Sequence, residues 1–334
     1  MRKNTSDNTD AHLTVTTFLS AWADQLANDD HSVHTIRSYR SAIHHFLEWY
    51  EAEERRPLEL DGLTPITLIS YRNYLQHDQG KATSTVNTRV AALRAWCTWL
   101  HEHGHVDANP AGRLKSVGRQ STSAPQALTD RQFNALLRAA QHTRHANRDF
   151  ALLQMMLQTG MRVGECAALN IEDIVFGERN GSVTIRSGKG NKSRLIPLNG
   201  SARQALAEYA APLLGVEPTL KAVATAWPRR AVSCRTPLWR SQKHHRLSES
   251  AMRRMIDDLV QNCATRNLVP ETTSAHTLRH TFAKNYLTDN PGDLIGLATL
   301  LGHNSLDTTR IYVQPSADEL AARVERSRSN AYGG

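Results

Sequence analysis

The sequence predicts a mainly α-helical protein, built as an N-terminal helical bundle followed by an α+β domain with a small antiparallel sheet. Through most of the chain, apolar residues recur at three- and four-residue steps, which is the spacing of one face of a helix. Near residues 182–198 they alternate instead on either side of a glycine-rich turn, which indicates a β-hairpin. The length of 334 residues fits two domains better than one.

The first hundred residues predict four helices. The first is expected over residues 13–28, and the second, which has the clearest apolar face, over residues 33–52. The third begins at Thr64 and Pro65, because a hydroxyl side chain can cap a helix and proline suits its first position. The fourth helix covers residues 84–103. Amphipathic helices joined by short loops predict a compact bundle.

The domain boundaries follow from a change in composition. Residues 106–127 are rich in Gly, Pro, Ser and Asn and show no hydrophobic period, which is typical of an interdomain linker. We therefore expect one helical domain over residues 11–105 and a second domain over residues 128–328.

The second domain predicts helices first and strands next. Helices are expected near residues 129–142 and 147–159, and a further short one begins near Arg162. Strands on either side of residues 188–191 then pair as a hairpin. Helices dominate from there, except over residues 215–247, which lack a period and carry six basic side chains with no acid among them between positions 229 and 246. These side chains could bind DNA or a partner, or the stretch could be a solvated insert.

The charge of the chain is positive and unevenly distributed. The formal net charge is +8, and residues 121–334 hold 27 Lys and Arg against 18 Asp and Glu. A basic body of this size indicates a polyanionic partner such as nucleic acid, although solvated surface charge gives the same count.

Hydropathy and cysteine content exclude other classes of protein. No run of about 18 apolar residues occurs, and the N-terminus lacks the apolar region of a secretory signal. The cysteines, at positions 97, 166, 234 and 263, form no CxxC pair, which argues against a zinc site or a disulfide framework. We expect a protein of the reducing cytoplasm.

Four separated segments hold side chains that could act on a phosphodiester. They are residues 159–165, 188–192, 276–280 and 300–312. Taken singly, each has an ordinary interpretation, such as an ion pair between Arg162 and Glu165, a solvated lysine at a hairpin tip, or packing by Tyr312. His276 and His280 have the spacing of a metal pair, but no third ligand is evident.

Together these side chains suit phosphoryl transfer without a metal ion. A phosphodiester under attack gains negative charge on its non-bridging oxygens, and two guanidiniums can hold those oxygens with planar, paired donors. A tyrosine can attack the phosphorus if a base or a cationic pocket overcomes its ordinary pKa of about 10. A lysine or histidine can then protonate the departing sugar hydroxyl.

In this order, the four segments resemble the active-site motifs of the tyrosine recombinases, the phage integrase family. The family's first-arginine motif is similar to TGMRVGE at 159–165, and its His-x-x-Arg helix to HTLRHTFA at 276–283. Its lysine hairpin resembles GKGNKSRLIPL at 188–198, and its histidine-to-tyrosine segment resembles LGHNSLDTTRIY at 301–312. The resemblance extends over about residues 11–325, where the N-terminal bundle resembles the family's core-binding, SAM-like domain.

The resemblance implies roles for the side chains around the phosphate. Arg162 and Arg279 would form the phosphate clamp, with Glu165 in support. Tyr312 would be the nucleophile that joins a DNA 3′ phosphate, and His276 would act as acid or base toward it.

Further catalytic roles are implied for the hairpin and for the segment before the tyrosine. Lys189 would be the general acid for the departing 5′ hydroxyl, with Lys192 and Arg194 as neighbouring alternatives. His303 would bond the phosphate or orient the clamp. Because no catalytic position is substituted, the resemblance implies an active enzyme rather than a decayed one.

The resemblance also implies how DNA is held. The candidate DNA contacts are Arg37, Arg40, Arg89 and Lys192, although the three arginines could equally be solvated charge on the outward faces of the bundle helices. Four protomers would hold two double-stranded recombination sites, and a helix over residues 316–328 would dock on a neighbouring protomer or, alternatively, cap its own domain. Strands would be exchanged through a 3′-phosphotyrosine and a Holliday junction, with no metal ion, other cofactor or ATP.

The implied protein is a simple recombinase of the Xer-like or transposon-encoded kind, acting on the nucleoid in the cytoplasm. It would lack the arm-binding domain of lambda-type integrases, and accessory proteins could act with it. Two alternatives stay open at this point. One is a nicking-closing enzyme similar to type IB topoisomerases, and the other is a non-catalytic DNA-binding protein of the same fold.

Overall fold

The computed structural model describes residues 7–29, 31–118, 127–186, 193–228 and 236–302, together with positions 309, 312, 321, 324 and 325. The chain divides into two compact units, Met1–Ser121 and Thr122–Gly334. The predicted fold class is confirmed, because helices account for most of the described backbone and one small antiparallel sheet accompanies them. The predicted domain and linker boundaries stay predictions.

Four α-helices make up most of the described N-terminal unit, as the sequence predicts. They are α1 (Asp7–Asn28), α2 (Val33–Glu54), α3 (Pro65–Asn73) and α4 (Thr83–Glu102). The hydroxyls of Ser32 and Thr64 cap α2 and α3, because each accepts a hydrogen bond from a backbone N–H that has no partner within the helix. The buried faces of the helices meet in a core that includes Trp22, Phe46, Tyr71 and Trp96.

The first part of the predicted linker packs on the N-terminal unit. Ala111 and Leu114 belong to its buried core. The side chain of Asn87 also accepts a hydrogen bond from the Val117 backbone N–H and donates one to the Val117 carbonyl. Two buried apolar side chains and the paired hydrogen bonds between Asn87 and Val117 therefore attach this segment to the N-terminal unit, although its sequence shows no periodic pattern. Residues 119–126 lie outside the described residues.

Eight α-helices are described in the C-terminal unit. They are α5 (Asp130–Ala140), α6 (Ala146–Thr159), α7 (Val163–Ala168), α8 (Gly200–Leu214), α9 (Leu220–Ala226), α10 (Glu249–Ala264), α11 (Ala275–Asp289) and α12 (Leu294–Leu301). Helix α6 lies at the centre of the unit, since it packs against α5, α7, α8 and α11. Among all the helices described, none has both the length and the apolar composition that crossing a bilayer requires.

The sheet of the C-terminal unit is antiparallel and consists of β1 (Ile174–Phe176), β2 (Gly181–Ile185) and β3 (Arg194–Pro197) in that order. Val183 lies opposite Ile196 in the hairpin, and both side chains point into the core. The predicted pairing of the two hairpin strands is therefore confirmed. The tip at residues 187–192 lies outside the described residues. Strand β3 begins at Arg194, which brings that side chain to the end of α12.

The stretch at residues 215–247 contributes to the core, although the sequence predicts it to be irregular. It contains α9, and Trp227, Leu238 and Trp239 are buried in the main hydrophobic cluster. The stretch crosses the core in short extended pieces, one of which pairs Pro237 with Asn170. Such pieces bury one or two residues at a time rather than a continuous face, so they leave no period in the sequence. Residues 229–235 lie outside the described residues.

We expect Trp239→Ala to lower the free energy of unfolding of the C-terminal unit by about 3–5 kcal/mol, because it empties the space of a fully buried indole. Urea denaturation followed by circular dichroism measures the change. Lys243→Ala, an exposed substitution in the same stretch, serves as the control and should leave stability within about 0.5 kcal/mol of the unaltered chain. Equal stability of the two variants would show that the stretch is a solvated insert.

Candidate active site

The junction between α6 and α7 positions the first arginine of the site. Helix α6 ends at Gly160, which has a φ of +62°, a conformation that favours glycine. A Cβ at this position would lie 2.3 Å from the Phe282 ring and 2.8 Å from the Leu301 side chain. Only glycine therefore allows the chain to turn here, and two residues later Arg162 begins α7 as its N-cap.

Glu165 is the carboxylate that organises the arginines of the site. Its oxygens accept hydrogen bonds from the Arg162 backbone N–H at 2.7 Å and from Arg162 Nη1 at 2.9 Å. They also accept a two-pronged contact from Arg194, with Nη1 at 3.0 Å and Nη2 at 2.7 Å. Burial opposes the charged carboxylate, but the hydrogen bonds and charges of these two arginines outweigh it and lower the pKa of Glu165.

Arg194 connects three elements of the C-terminal unit through its three side-chain nitrogens. It begins β3, contacts Glu165 on α7 and donates from Nε to the Leu300 carbonyl on α12 at 2.8 Å. Its side chain is 12% exposed. A guanidinium does not give up its proton in proteins. Arg194 therefore holds Glu165 in place and is unsuited to the general-acid role for which the sequence left it as an alternative.

Arg279 on α11 is a buried cation, with 2% of its surface exposed. Its Nη1 donates to the Gly160 carbonyl at 2.7 Å, and its Nη2 donates to the Leu301 carbonyl at 2.8 Å. Burial, assisted by the positive charge of Arg162, lowers the pKa of Arg279 to about 10. The guanidinium remains protonated at neutral pH despite this shift.

The cluster formed by Arg162, Arg194 and Arg279 carries an excess of positive charge. In the described part of the site, the Glu165 carboxylate contacts two of these guanidiniums, Arg162 and Arg194, and acts on Arg279 through its charge. Arg162 is the most accessible of the three, with 46% of its side chain exposed. An accessible guanidinium beside a buried one provides the planar donors that suit the non-bridging oxygens of a phosphate.

Tyr312 contacts one of the two histidines that α11 carries. His280 Nδ1 lies 2.9 Å from the hydroxyl oxygen of Tyr312, whose ring packs beside the apolar cluster of α11 and α12. The rings of His276 and His280 are perpendicular, with centroids 4.8 Å apart. Burial raises the pKa of Tyr312, while the charge and hydrogen bond of Arg279 and the charge of Arg162 oppose the rise.

Both histidines are held in their neutral form. Burial, followed by the charges of His276 and Arg279, lowers the pKa of His280 to about 4. The pKa of His276 is lowered by burial and then by the charges of Arg279, Arg162 and Arg253. At neutral pH, therefore, an uncharged imidazole faces a protonated phenol.

The structure brings four of the six predicted catalytic residues into one site: Arg162, His276, Arg279 and Tyr312. The other two, Lys189 and His303, lie outside the described residues, as does the DNA-contact candidate Lys192. Most of the helix predicted over residues 316–328 lies outside them too. The catalytic roles stay predictions.

The remaining predicted DNA contacts differ in their surroundings. Arg37 and Arg40 are exposed on α2. Arg89 is half-buried on α4, and its Nη1 is shielded from solvent. Burial raises the pKa of the neighbouring Tyr71 to about 12, although the charge of Arg89 and its hydrogen bond to Tyr71 oppose this rise. The Tyr71 hydroxyl in turn lies 2.8 Å from His45 Nδ1.

Three contributions to the site are not apparent from the motifs. The first is the ion pair between Arg194 and Glu165, and the second is the contact of His280 with Tyr312. The sequence did contain a signal for His280: it follows His276 by four residues, and residues at this spacing lie on the same face of a helix. The third is Arg246, which donates to the Ala167 and Leu169 carbonyls at 2.9 and 3.1 Å and so fixes the end of α7.

Two family models match the chain. The model described as phage integrase family matches residues 126–319, and the phage integrase N-terminal SAM-like domain matches residues 19–104. A protein named tyrosine recombinase XerC from Syntrophus aciditrophicus (strain SB) is 31% identical over 308 residues, covering 91% of this chain and 94% of that protein. Another of the same name, from Roseiflexus castenholzii (strain DSM 13941 / HLO8), is 32% identical over 284 residues, covering 84% and 83%.

Solved structures share the fold at low sequence identity. The XerH site-specific recombinase bound to its difH substrate, in a pre-cleavage complex, has a TM-score of 0.63 at 20% identity, covering 92% of this chain and 83% of that one. The Tn1549 transposon integrase in complex with transposon right end DNA has a TM-score of 0.67 at 19% identity, covering 92% and 98%.

The fold, the site and these relatives define one class of enzyme, the tyrosine site-specific recombinases. The chain belongs to the phage integrase family, and it is similar to XerC recombinases over nearly their whole length.

We expect Glu165→Gln to destabilise the protein at neutral pH and to lose this effect in acid. Because the folded-state pKa of Glu165 lies below its ordinary value of 4.5, the carboxylate contributes stability above about pH 4.5. That contribution disappears as the pH falls through the folded-state value. Urea denaturation of both proteins at several pH values between 7 and 3 measures the difference.

The control for this experiment is Glu178→Gln, which removes an exposed carboxylate from the same unit. Its free energy of unfolding should follow that of the unaltered chain at every pH. A Glu165→Gln variant that matches this control at pH 7 would contradict the role of Glu165 as the organiser of the arginines.

Proposed function

We infer that the protein recombines DNA at specific sites by cleaving and rejoining strands through a phosphotyrosine formed at Tyr312. The observation that carries this inference is the position of the Tyr312 hydroxyl, 2.9 Å from His280 Nδ1 and hydrogen-bonded by Arg279. A phosphate held by Arg162 and Arg279 would meet a nucleophile that is already in the site.

In the cleavage step, Tyr312 Oη attacks the phosphorus of the scissile phosphodiester. The Oη–phosphorus bond forms as the bond to the 5′ oxygen breaks, which leaves a 3′-phosphotyrosine and a free 5′ hydroxyl. Arg162 and Arg279 stabilise the charge that develops on the non-bridging oxygens, so the chain supplies the electrostatic stabilisation for which many phosphoryl-transfer enzymes use a metal ion. The phosphotyrosine retains the energy of the broken bond, and rejoining therefore needs no ATP.

The departing 5′ oxygen needs a proton. We assign Lys189 as its donor, because β2 and β3 carry the hairpin that holds this lysine and β3 begins at Arg194 within the arginine cluster. If this lysine reaches the cluster, it would give up its proton more readily than a lysine in water, since neighbouring positive charge favours the neutral form. We also assign His303 to the bound phosphate.

Recombination requires two DNA sites to be cut and joined in a coordinated order. We infer that four protomers hold the two sites, exchange one pair of strands at a time through a Holliday junction, and contact each other through the helix predicted over residues 316–328. The XerH recombinase structure is bound to its difH substrate and the Tn1549 integrase structure is in complex with transposon right end DNA, which supports DNA as the substrate. The excess of basic residues and the exposed Arg37 and Arg40 support binding through backbone phosphates, which makes affinity depend on salt. Such a reaction would take place on the nucleoid in the cytoplasm.

Tyr312→Phe should abolish covalent attachment to DNA and leave DNA binding nearly unchanged, because it removes only the attacking oxygen. The substrates are nicked duplexes that tile the DNA flanking the gene, incubated with the protein in EDTA without nucleotide. A denaturing gel reports the adduct, mass spectrometry locates it, and a native gel measures binding.

Three outcomes would contradict this function. An adduct that persists in Tyr312→Phe would place the nucleophile elsewhere. Adducts of the unaltered chain at many unrelated sequences would indicate a nicking-closing enzyme similar to type IB topoisomerases. Sequence-specific binding by the unaltered chain without any adduct would indicate a protein that binds DNA and does not cut it.

Lys189→Ala should slow cleavage by about 10²-fold or more, because the 5′ oxygen then leaves without a proton donor. A duplex whose scissile phosphate carries sulfur in place of the bridging 5′ oxygen should restore the rate, since a thiolate leaves readily without protonation. Single-turnover cleavage of both duplexes measures the effect. Rescue of Lys192→Ala rather than Lys189→Ala would transfer the role of general acid to Lys192.

A further inference from the structure

The phenolic proton of Tyr312 must leave as the oxygen attacks phosphorus, and the site provides an acceptor for it. Arg279 can only donate hydrogen bonds, so its contact uses a lone pair of the Tyr312 oxygen. His280 Nδ1, 2.9 Å from the same oxygen, can accept. These two contacts orient the phenol with its proton toward His280.

We propose that His280 is the general base that takes the phenolic proton of Tyr312 when this residue attacks DNA. This proposal rests on the function inferred above and adds a catalytic residue to it. The O–H bond of Tyr312 breaks and an N–H bond forms at Nδ1 of His280, while Oη bonds to phosphorus and the 5′ oxygen leaves with a proton from the general acid. In rejoining, His280 returns the proton to the phenolate.

The protonation state of His280 suits an acceptor. The groups that act on its ring are His276 and Arg279 on its own helix and Tyr312 from the C-terminal segment. The positive charge of Arg162, at the start of α7, acts to lower the pKa of both neighbours of His280, which are His276 and Tyr312. Burial of the ring and the positive charge of Arg279 keep the imidazole neutral, and in the tautomer protonated at Nε2 the Nδ1 lone pair is free to accept a hydrogen bond.

The incoming phosphate would strengthen this base at the moment when it is needed. A DNA phosphate bound by Arg162 and Arg279 brings negative charge beside His280 and offsets the cations that disfavour its protonation. The pKa of His280 then rises toward its ordinary value, which is the range in which a general base works best at neutral pH. Base strength is thereby coupled to substrate binding.

His276 occupies a different position from His280. It is exposed, whereas His280 is half-buried, and the two rings meet edge to face at a centroid distance of 4.8 Å. The imidazole nearer to the solvent, His276, can exchange protons with water, and the half-buried His280 contacts Tyr312. This arrangement assigns proton abstraction to His280 and leaves His276 to contact the phosphate or to carry the proton onward.

The test is single-turnover cleavage by His280→Asn and His280→Ala on the duplex that gives the adduct with the unaltered chain. His280→Asn retains an oxygen that can accept the phenol's hydrogen bond without acting as a base at neutral pH. Both variants should be slower by about 10²-fold or more. The bridging-sulfur duplex, which rescues loss of the general acid, should not rescue either variant. Added imidazole should partly restore cleavage by His280→Ala.

The pH profile gives an independent measurement. Cleavage by the unaltered chain should increase with pH as His280 loses its proton and then level off. Cleavage by His280→Asn should lack this rise and plateau. Its rate should increase only at high pH, where the phenol ionises by itself. The control is His142→Asn, an exposed substitution in the same unit that should behave as the unaltered chain does.

Three results would overturn the proposal. They are His280 variants that cleave within threefold of the unaltered chain, rescue of those variants by the sulfur duplex, and no effect of imidazole on His280→Ala. An unaltered chain that forms no adduct on any duplex would instead refute the proposed function, so the two failures are distinguishable.

Discussion

The arrangement of the C-terminal unit depends on the burial of one positive charge, that of Arg279. A buried charge is costly unless it has hydrogen-bond partners. The backbone carbonyls of Gly160 and Leu301 accept hydrogen bonds from the Arg279 guanidinium and so offset this cost. Both carbonyls lie at helix C-termini, those of α6 and α12, where the helix dipole is negative. Two helix ends therefore converge on one guanidinium, and this convergence fixes the angle between the elements that carry the rest of the site.

The other two cations of the cluster also need a partner, and Glu165 is that partner. Two helix ends stabilise one cation, but Arg162 and Arg194 bring two more, and Glu165 keeps them from separating by repulsion. The remaining excess of positive charge is unfavourable in the free protein, and a phosphate would neutralise it. A site that is strained electrostatically when empty and relieved by its substrate is suited to binding and polarising a phosphodiester.

The same excess charge also affects the protonation states of the histidines and the tyrosine in the site. Cations that favour a phosphate also disfavour the protonation of nearby histidines, so the imidazoles of His276 and His280 are neutral before DNA binds. Burial meanwhile keeps the Tyr312 phenol protonated and unreactive. In the free protein a protonated Tyr312 phenol therefore lies beside an uncharged imidazole of low basicity, and under the proposed function attack would wait until a phosphate changes the local charge.

The sequence alone determined the helices, the hairpin strands and four side chains that the structure brings together in the candidate site, because each depends on local periodicity or on a motif a few residues long. The spacing of His276, Arg279 and His280 on α11 is local in the same sense. Tertiary structure alone decided which partner each of these side chains meets. The grip of Arg194 on Glu165 spans 29 residues, the contact of Arg279 with Gly160 spans 119, and the contact of His280 with Tyr312 spans 32. It also decided that the stretch containing Trp239 belongs to the core, since isolated buried residues leave no periodic pattern. Pairings across such distances depend on how whole helices pack, and no local pattern in the chain encodes that packing.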